Sequence, residues 1–99
     1  MAKSARITKE IAEKLAIQAL SFLASDSERL GSFLAVTGIG PDAIRKAAAD
    51  PAFLAGVLDH VVSDEPLLVA VANFAGVTPQ TIEVAQATLS GHPWEREVP

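Results

Sequence analysis

Residues 25–47, SDSERLGSFLAVTGIGPDAIRKA, and residues 63–85, SDEPLLVAVANFAGVTPQTIEVA, lie 38 positions apart and carry the same punctuation. Both open on Ser-Asp, both reach a glycine at Gly38 or Gly76, and both follow it with Pro41 or Pro79. Short polar side chains accept hydrogen bonds from the free N–H groups of a starting helix, so Ser25 or Asp26 caps one helix and Ser63 or Asp64 another. Glu28, three residues after Ser25, completes a capping box. Pro66 takes its place in the second copy, where a first helical turn tolerates it. Gly38 and Gly76 stand where a helix stops in a left-handed residue, with Ile39 and Val77 packing back on the helix just ended. Gly40-Pro41 and Thr78-Pro79 read as an N-cap followed by proline at the first helical position.

Working outward, residues 20–47 superpose on 58–85 with eight of 28 positions identical, among them Leu20/Leu58, Leu30/Leu68, Ile44/Ile82 and Ala47/Ala85. Apolar residues at three- and four-residue spacing then place six helices. They run over about Thr8–Ala24, Ser27–Thr37, Pro41–Ala49, Pro51–Val62, Glu65–Ala75 and Pro79–Leu89. Two repeats are too few for a solenoid, which needs about three. The expected architecture is all-α. It is a compact bundle of five to six short helices built from two tandem repeats of about 38 residues with pseudo-twofold symmetry. The single domain covers 1–91, with repeats at about 11–49 and 50–90 and a tail over 92–99.

Composition agrees. Of 99 residues, 18 are alanine and 10 leucine, the strongest helix formers, against four Phe and one Trp. Phe22, Phe33, Phe53 and Phe74 are expected to supply most of the large core contacts. No cysteine is present, which excludes disulfides, thiolate chemistry and zinc ribbons, and two histidines cannot build a His-rich metal site. Residues 1–14 carry a net charge of +2 and the rest of the chain −6. An acidic body repels phosphate backbones and disfavours nucleic acid as a partner. The longest apolar run, Pro66–Val77, is 12 residues and falls short of the roughly 20 that span a bilayer. The basic start lacks the apolar core of a secretory signal, and Glu10 and Glu13 argue against a transit peptide. A cytoplasmic protein without a membrane anchor is the expectation.

The segments SERLGSFLAVTGIGP (27–41) and DPAFLAGVLDHVVSDEPLL (50–68) resemble a family of small all-helical proteins of unknown function, found mostly in alphaproteobacteria. The resemblance covers about residues 12–90. It implies an all-helical fold and a bacterial cytosolic setting, and it carries over no catalytic residue and no cofactor.

Candidate chemistry is sparse. Gly38-Ile39-Gly40 followed by Arg45 and Lys46 has the form of a helix-hairpin-helix turn, in which backbone N–H groups meet a phosphate; Gly38, Gly40, Arg45 and Lys46 are the candidate contacts. The second copy has Glu83 and no cation there, and Asp42 sits beside the supposed pocket, so helix punctuation is the simpler reading. Helix six has no outward Arg or Lys to serve as a recognition helix. Asp59, His60 and Ser63 evoke a triad, but adjacent helical residues point about 100° apart. Asp59, Asp64 and Glu65 form an acidic cluster that reads as a solvated face with helix N-terminal acids. Trp94, the only tryptophan, lies outside the repeats; it either folds back over an apolar groove between helices or anchors another chain, a role tryptophan often takes. Helix one is more apolar than a surface helix needs. Trp94, Leu15 and Ile11 are therefore the candidate partner-binding residues. The expected function is a non-enzymatic interaction module for an unknown protein partner or a second copy, without cofactor or metal. A DNA-binding accessory protein using residues 38–46 is the alternative.

Overall fold

Thr8, Asp26, Asp50 and Asp64 sit in extended backbone, and each turns a side-chain oxygen onto a free N–H of the helix that follows. The contacts run from Thr8 Oγ1 to Ile11 N (3.1 Å), Asp26 Oδ1 to Glu28 N (3.0 Å), Asp50 Oδ1 to Ala52 N (2.9 Å) and Asp64 Oδ1 to Leu67 N (3.4 Å). The helices so started are α1 (Lys9–Ala24), α2 (Ser27–Thr37), α4 (Pro51–Val62) and α5 (Glu65–Ala75). A 3-10 turn over Pro41–Ala43 leads into the short α3 (Ile44–Ala47), and α6 (Pro79–Ser90) is the last described helix. The computed structural model describes residues 7–90, all of them helix or connection with no strand among them.

Within the Ser-Asp pairs the aspartates are the caps. Ser25 and Ser63 instead close the preceding helices, donating to Phe22 O (2.6 Å) and His60 O (2.7 Å). The expected capping box from Ser25 to Glu28 therefore does not form, since the cap is one residue later. Arg29, not Glu28, stands three residues after the cap, and its Nε reaches Asp26 Oδ2 at 3.2 Å. Gly38 and Gly76 do end α2 and α5 in left-handed backbone, at φ 75° and 76°. The expected third helix is shorter than Pro41–Ala49. Ala43 at its N-cap has no side-chain acceptor and no residue of α3 is fully buried, Ile44 packing only partly against the core, so capping and burial offset helix nucleation only weakly there.

Ala12, Ala16 and Ala19 of α1 are fully buried, flanked by Leu15, Leu20 and Leu23. This small-residue face brings α1 against α4 and α6, and these three helices make the most extensive mutual contacts. α5 touches all three, and α2 leans on α1. Leu58, Val57, Val61, Val71, Ile82 and Ala85 fill the space between them. Among the described residues no polar or charged side chain is buried.

The four phenylalanines do not share the core as expected. Phe33 alone is fully buried, with Phe53 edge-on at 5.8 Å. Phe22 and Phe74 pair at 5.4 Å on the outside, where Phe74 is 54% exposed and the Arg29 guanidinium sits 5.7 Å from the Phe22 ring. The reason is position. Phe74 lies in the last turn of α5, beyond the reach of the alanine face, and leucine and valine already fill the centre.

Among the described residues no single helix is long and apolar enough to cross a membrane; α5 and α6 reach that length only together, bent by 98°.

Truncating a buried aromatic should cost far more than truncating an exposed one. Phe33→Ala is expected to lose about 3–5 kcal/mol and Phe74→Ala about 1 kcal/mol or less, measured by urea unfolding with unchanged m-values.

Candidate functional site

α1 and the α5–α6 turn build a concave surface with a mostly apolar lining. Ile7 lies just before the Thr8 cap, and Ile11 and Leu15 follow at four-residue spacing on one flank of α1. Gly76 controls the opposite wall. Its left-handed backbone lets Val77 N–H reach Ala72 O at 2.9 Å, closing α5 and laying Val77 partly against the core. Gly38 lacks that second bond. Ile39 N–H goes instead to Thr37 Oγ1 at 3.4 Å. After Val77, Thr78 Oγ1 accepts from Thr81 N (3.2 Å) and lies 2.9 Å from Thr81 Oγ1, so α6 starts at a defined angle. Val84 follows one turn later.

The resulting groove has a volume of about 550 Å³ and is lined by Ile7, Ile11, Leu15, Val77 and Val84, with Thr78, Gln80 and Thr81 as its polar lining. Hydrocarbon walls with a few amide and hydroxyl groups suit an apolar side chain that carries one polar atom. They hold no acid–base pair.

Of the candidate partner-binding residues, Ile11 and Leu15 both lie here, at different depths. Ile11 is 40% exposed on the groove wall; Leu15, at 5%, is a core residue that forms the floor. Trp94 lies outside the described residues. Val84, 50% exposed, escaped the sequence reading because it falls off the Ile82–Ala85–Leu89 stripe that marks the buried face of α6. Ile7 and Val77 had no periodic signal either, since both lie outside helices. An apolar residue on the outward side of an amphipathic helix was the available clue to Val84.

The Gly-Ile-Gly turn is occupied by backbone tasks. Gly38 ends α2, and Gly40 O accepts from Ala43 N at 3.0 Å to open the 3-10 turn. Arg45 and Lys46 are exposed in the single turn of α3. The triad-like residues are also engaged elsewhere. The His60 ring packs edge-on to Phe33 at 5.2 Å, Asp59 Oδ1 accepts from Gln86 Nε2 at 3.2 Å, and Ser63 is bound to a backbone carbonyl. A second, more polar hollow lies between α2 and the α4–α5 junction, lined by Glu28, Arg29, Ser32, Val36, His60 and Asp64. Its Arg29 is tied to Asp26 and its Asp64 to the α5 N-terminus. Among the described residues no group of three His, Asp or Glu side chains is placed to hold a metal ion.

Residues 9–92 match the family described as Protein of unknown function (DUF3572). The chain belongs to this family. The matched span contains all six helices, hence both walls of the groove except Ile7, and stops before Trp94. No curated protein and no solved structure matches the chain.

The two depths within the groove separate in stability measurements. Leu15→Ala is expected to cost about 2–4 kcal/mol by thermal or urea unfolding, whereas Val84→Ala stays within about 0.5–1 kcal/mol of the parent.

Proposed function

We propose that this protein is a non-catalytic, cytosolic interaction module whose docking surface for a partner protein is the groove between α1 and the start of α6. One observation carries the reading. Ile11 and Val84 are large apolar side chains left 40% and 50% exposed on facing walls of a concave surface, when single exposed apolar residues are ordinarily scattered. The chemistry of the wall residues supports it: an apolar anchor with a polar handle gains both burial and a hydrogen bond at Thr78, Gln80 or Thr81. The wholly apolar buried set of the described residues supports a structural or binding role over a catalytic one.

We also read the chain as two tandem helical repeats of about 38 residues related by pseudo-twofold symmetry. Support comes from the local geometry at that spacing. The Asp26 and Asp64 caps have φ −129° and −132°, and α2 and α5 each have 11 residues. The halves diverge at their third helices, where four-residue α3 faces a 12-residue counterpart in α6. Only the longer one has length to build a wall, so the groove pairs the first helix of the first copy with the last helix of the second.

Affinity capture with three immobilised baits tests the docking role: the parent chain, the Ile11→Asp/Val84→Asp double variant, and Ile17→Asp. Ile17 is comparably exposed but does not line the groove. The expected result is a defined set of proteins whose affinity falls at least about tenfold, or about 1.4 kcal/mol, on the double variant alone. Circular dichroism should show all three baits equally helical, and sedimentation velocity over a range of concentrations identifies a second copy as the partner. The same proteins captured equally by all three baits would overturn the reading.

A further inference from the structure

We infer that the partner presents an amphipathic α-helix, laid lengthwise along α1 in a seat that runs past the groove to Phe22 and Phe74. Its apolar anchors recur at three- and four-residue spacing over about three turns, with basic residues beside them. The inference rests on the groove being a docking surface and names what docks there.

Length is the first support. At about 100° per residue, Ile11, Leu15 and Phe22 fall within about 40° of one another around α1, and Phe22 stands about 16 Å beyond Ile11 along the axis. Ile11 and Leu15 line the groove, and the Phe22 ring meets Phe74 at 5.4 Å, three residues before the groove-lining Val77. One apolar strip therefore continues from the groove to the Phe22–Phe74 pair. Of the six large apolar side chains exposed among the described residues, Ile11, Val84 and Phe74 lie on it. About three turns of helix match its length, with anchors at i, i+4, i+7 and i+11.

Backbone chemistry is the second. The α1 and α6 walls pair their backbone groups within the helices, and the lining offers no charged side chain, only Thr78, Gln80 and Thr81 as polar groups. A strand or open loop pressed against such walls leaves backbone N–H and C=O groups unpaired, whereas a helix brings its own hydrogen bonds with it. Charge and area then select the owner of that helix. Exposed Glu10 and Glu83 adjoin Ile11 and Val84 in sequence, with exposed Lys14 one turn from Glu10. The chain as a whole carries a net charge of −4, so a basic helix is drawn to this surface and an acidic second copy is not. A strip about 16 Å long and one helix wide, about 10 Å, is also far below the roughly 800 Å² that each partner buries in a stable dimer. The other exposed large apolar side chains among the described residues, Ile17, Val36 and Val69, stand singly on α1, α2 and α5. A second copy thus has no further apolar face to lay into the strip.

Selection from a displayed library of random peptides of about 16 residues, four to five helical turns, tests the inference. The full-length protein is the bait and the Ile11→Asp/Val84→Asp double variant the counter-bait. The expected consensus has apolar residues at three- and four-residue spacing across at least about two turns, with Lys and Arg enriched between them. A synthetic peptide of that consensus should gain helicity by circular dichroism on binding. Its affinity should fall at least about tenfold on the double variant and about three- to tenfold on Phe74→Ala, and stay unchanged on Ile17→Asp, with all variants equally helical. Each of several results would overturn the inference: an alternating or proline-rich consensus, enrichment that survives the double variant, binding indifferent to Phe74→Ala, or no enrichment over a blank. A dimer in sedimentation velocity that Val84→Asp dissociates would do the same, since the strip would then seat a second copy. Groove-dependent capture of whole proteins beside an alternating consensus removes the helix and keeps the docking surface; a groove-dependent helical consensus without such capture keeps the helix seat and removes its role as the partner surface.

Discussion

Close approach of α1 to α4 and α6 through Ala12, Ala16 and Ala19 is the constraint on which the other features depend. A fully buried face of methyl groups lets helix backbones come together with little side-chain volume between them, and interiors close-pack only when such volumes match. The leucines and valines that remain, Leu23, Leu58, Val57 and Val61, then suffice to fill the centre. Among the described residues Phe33 is the one aromatic the interior accommodates whole, and it ties α2 to α4 through Phe53 and His60. A larger residue at any of the three alanines would push α1 outward and reopen the contacts with both neighbours at once.

The groove follows from the same economy of volume. Helices that touch along a narrow alanine stripe leave their flanks uncovered, and on α1 that flank carries Ile11. Across from it, α6 contributes Val84 beyond its own buried stripe of Ile82 and Ala85. An open apolar channel is what two well-packed helices produce when neither has a large neighbour at its edge.

Helix boundaries were legible to within a residue or two for five of the six helices, because Asp, Ser, Gly and Pro act locally. An aspartate carboxylate finds N–H groups two or three residues away, and a left-handed glycine needs nothing beyond its own backbone. Which residue of a Ser-Asp pair caps the next helix was less legible, since both hydroxyl and carboxylate can accept. The structure assigns the carboxylate forward and the hydroxyl back to Phe22 O or His60 O. That Ile11 and Leu15 share one flank of α1 was legible but their depth was not, because periodicity says that a residue is apolar and not how deep it lies.

From the sequence alone came the all-helical class, the punctuation of the helices, the absence of thiol chemistry and the family resemblance. These depend on local hydrogen bonding and on composition. The burial of Phe33 over Phe22, Phe53 and Phe74, the reduction of the third helix to four residues, and the facing of Ile11 with Val84 were decided only by the tertiary structure. Each depends on where helices distant in sequence cross, and crossing geometry is set by the summed packing of many side chains, which no short window of sequence contains.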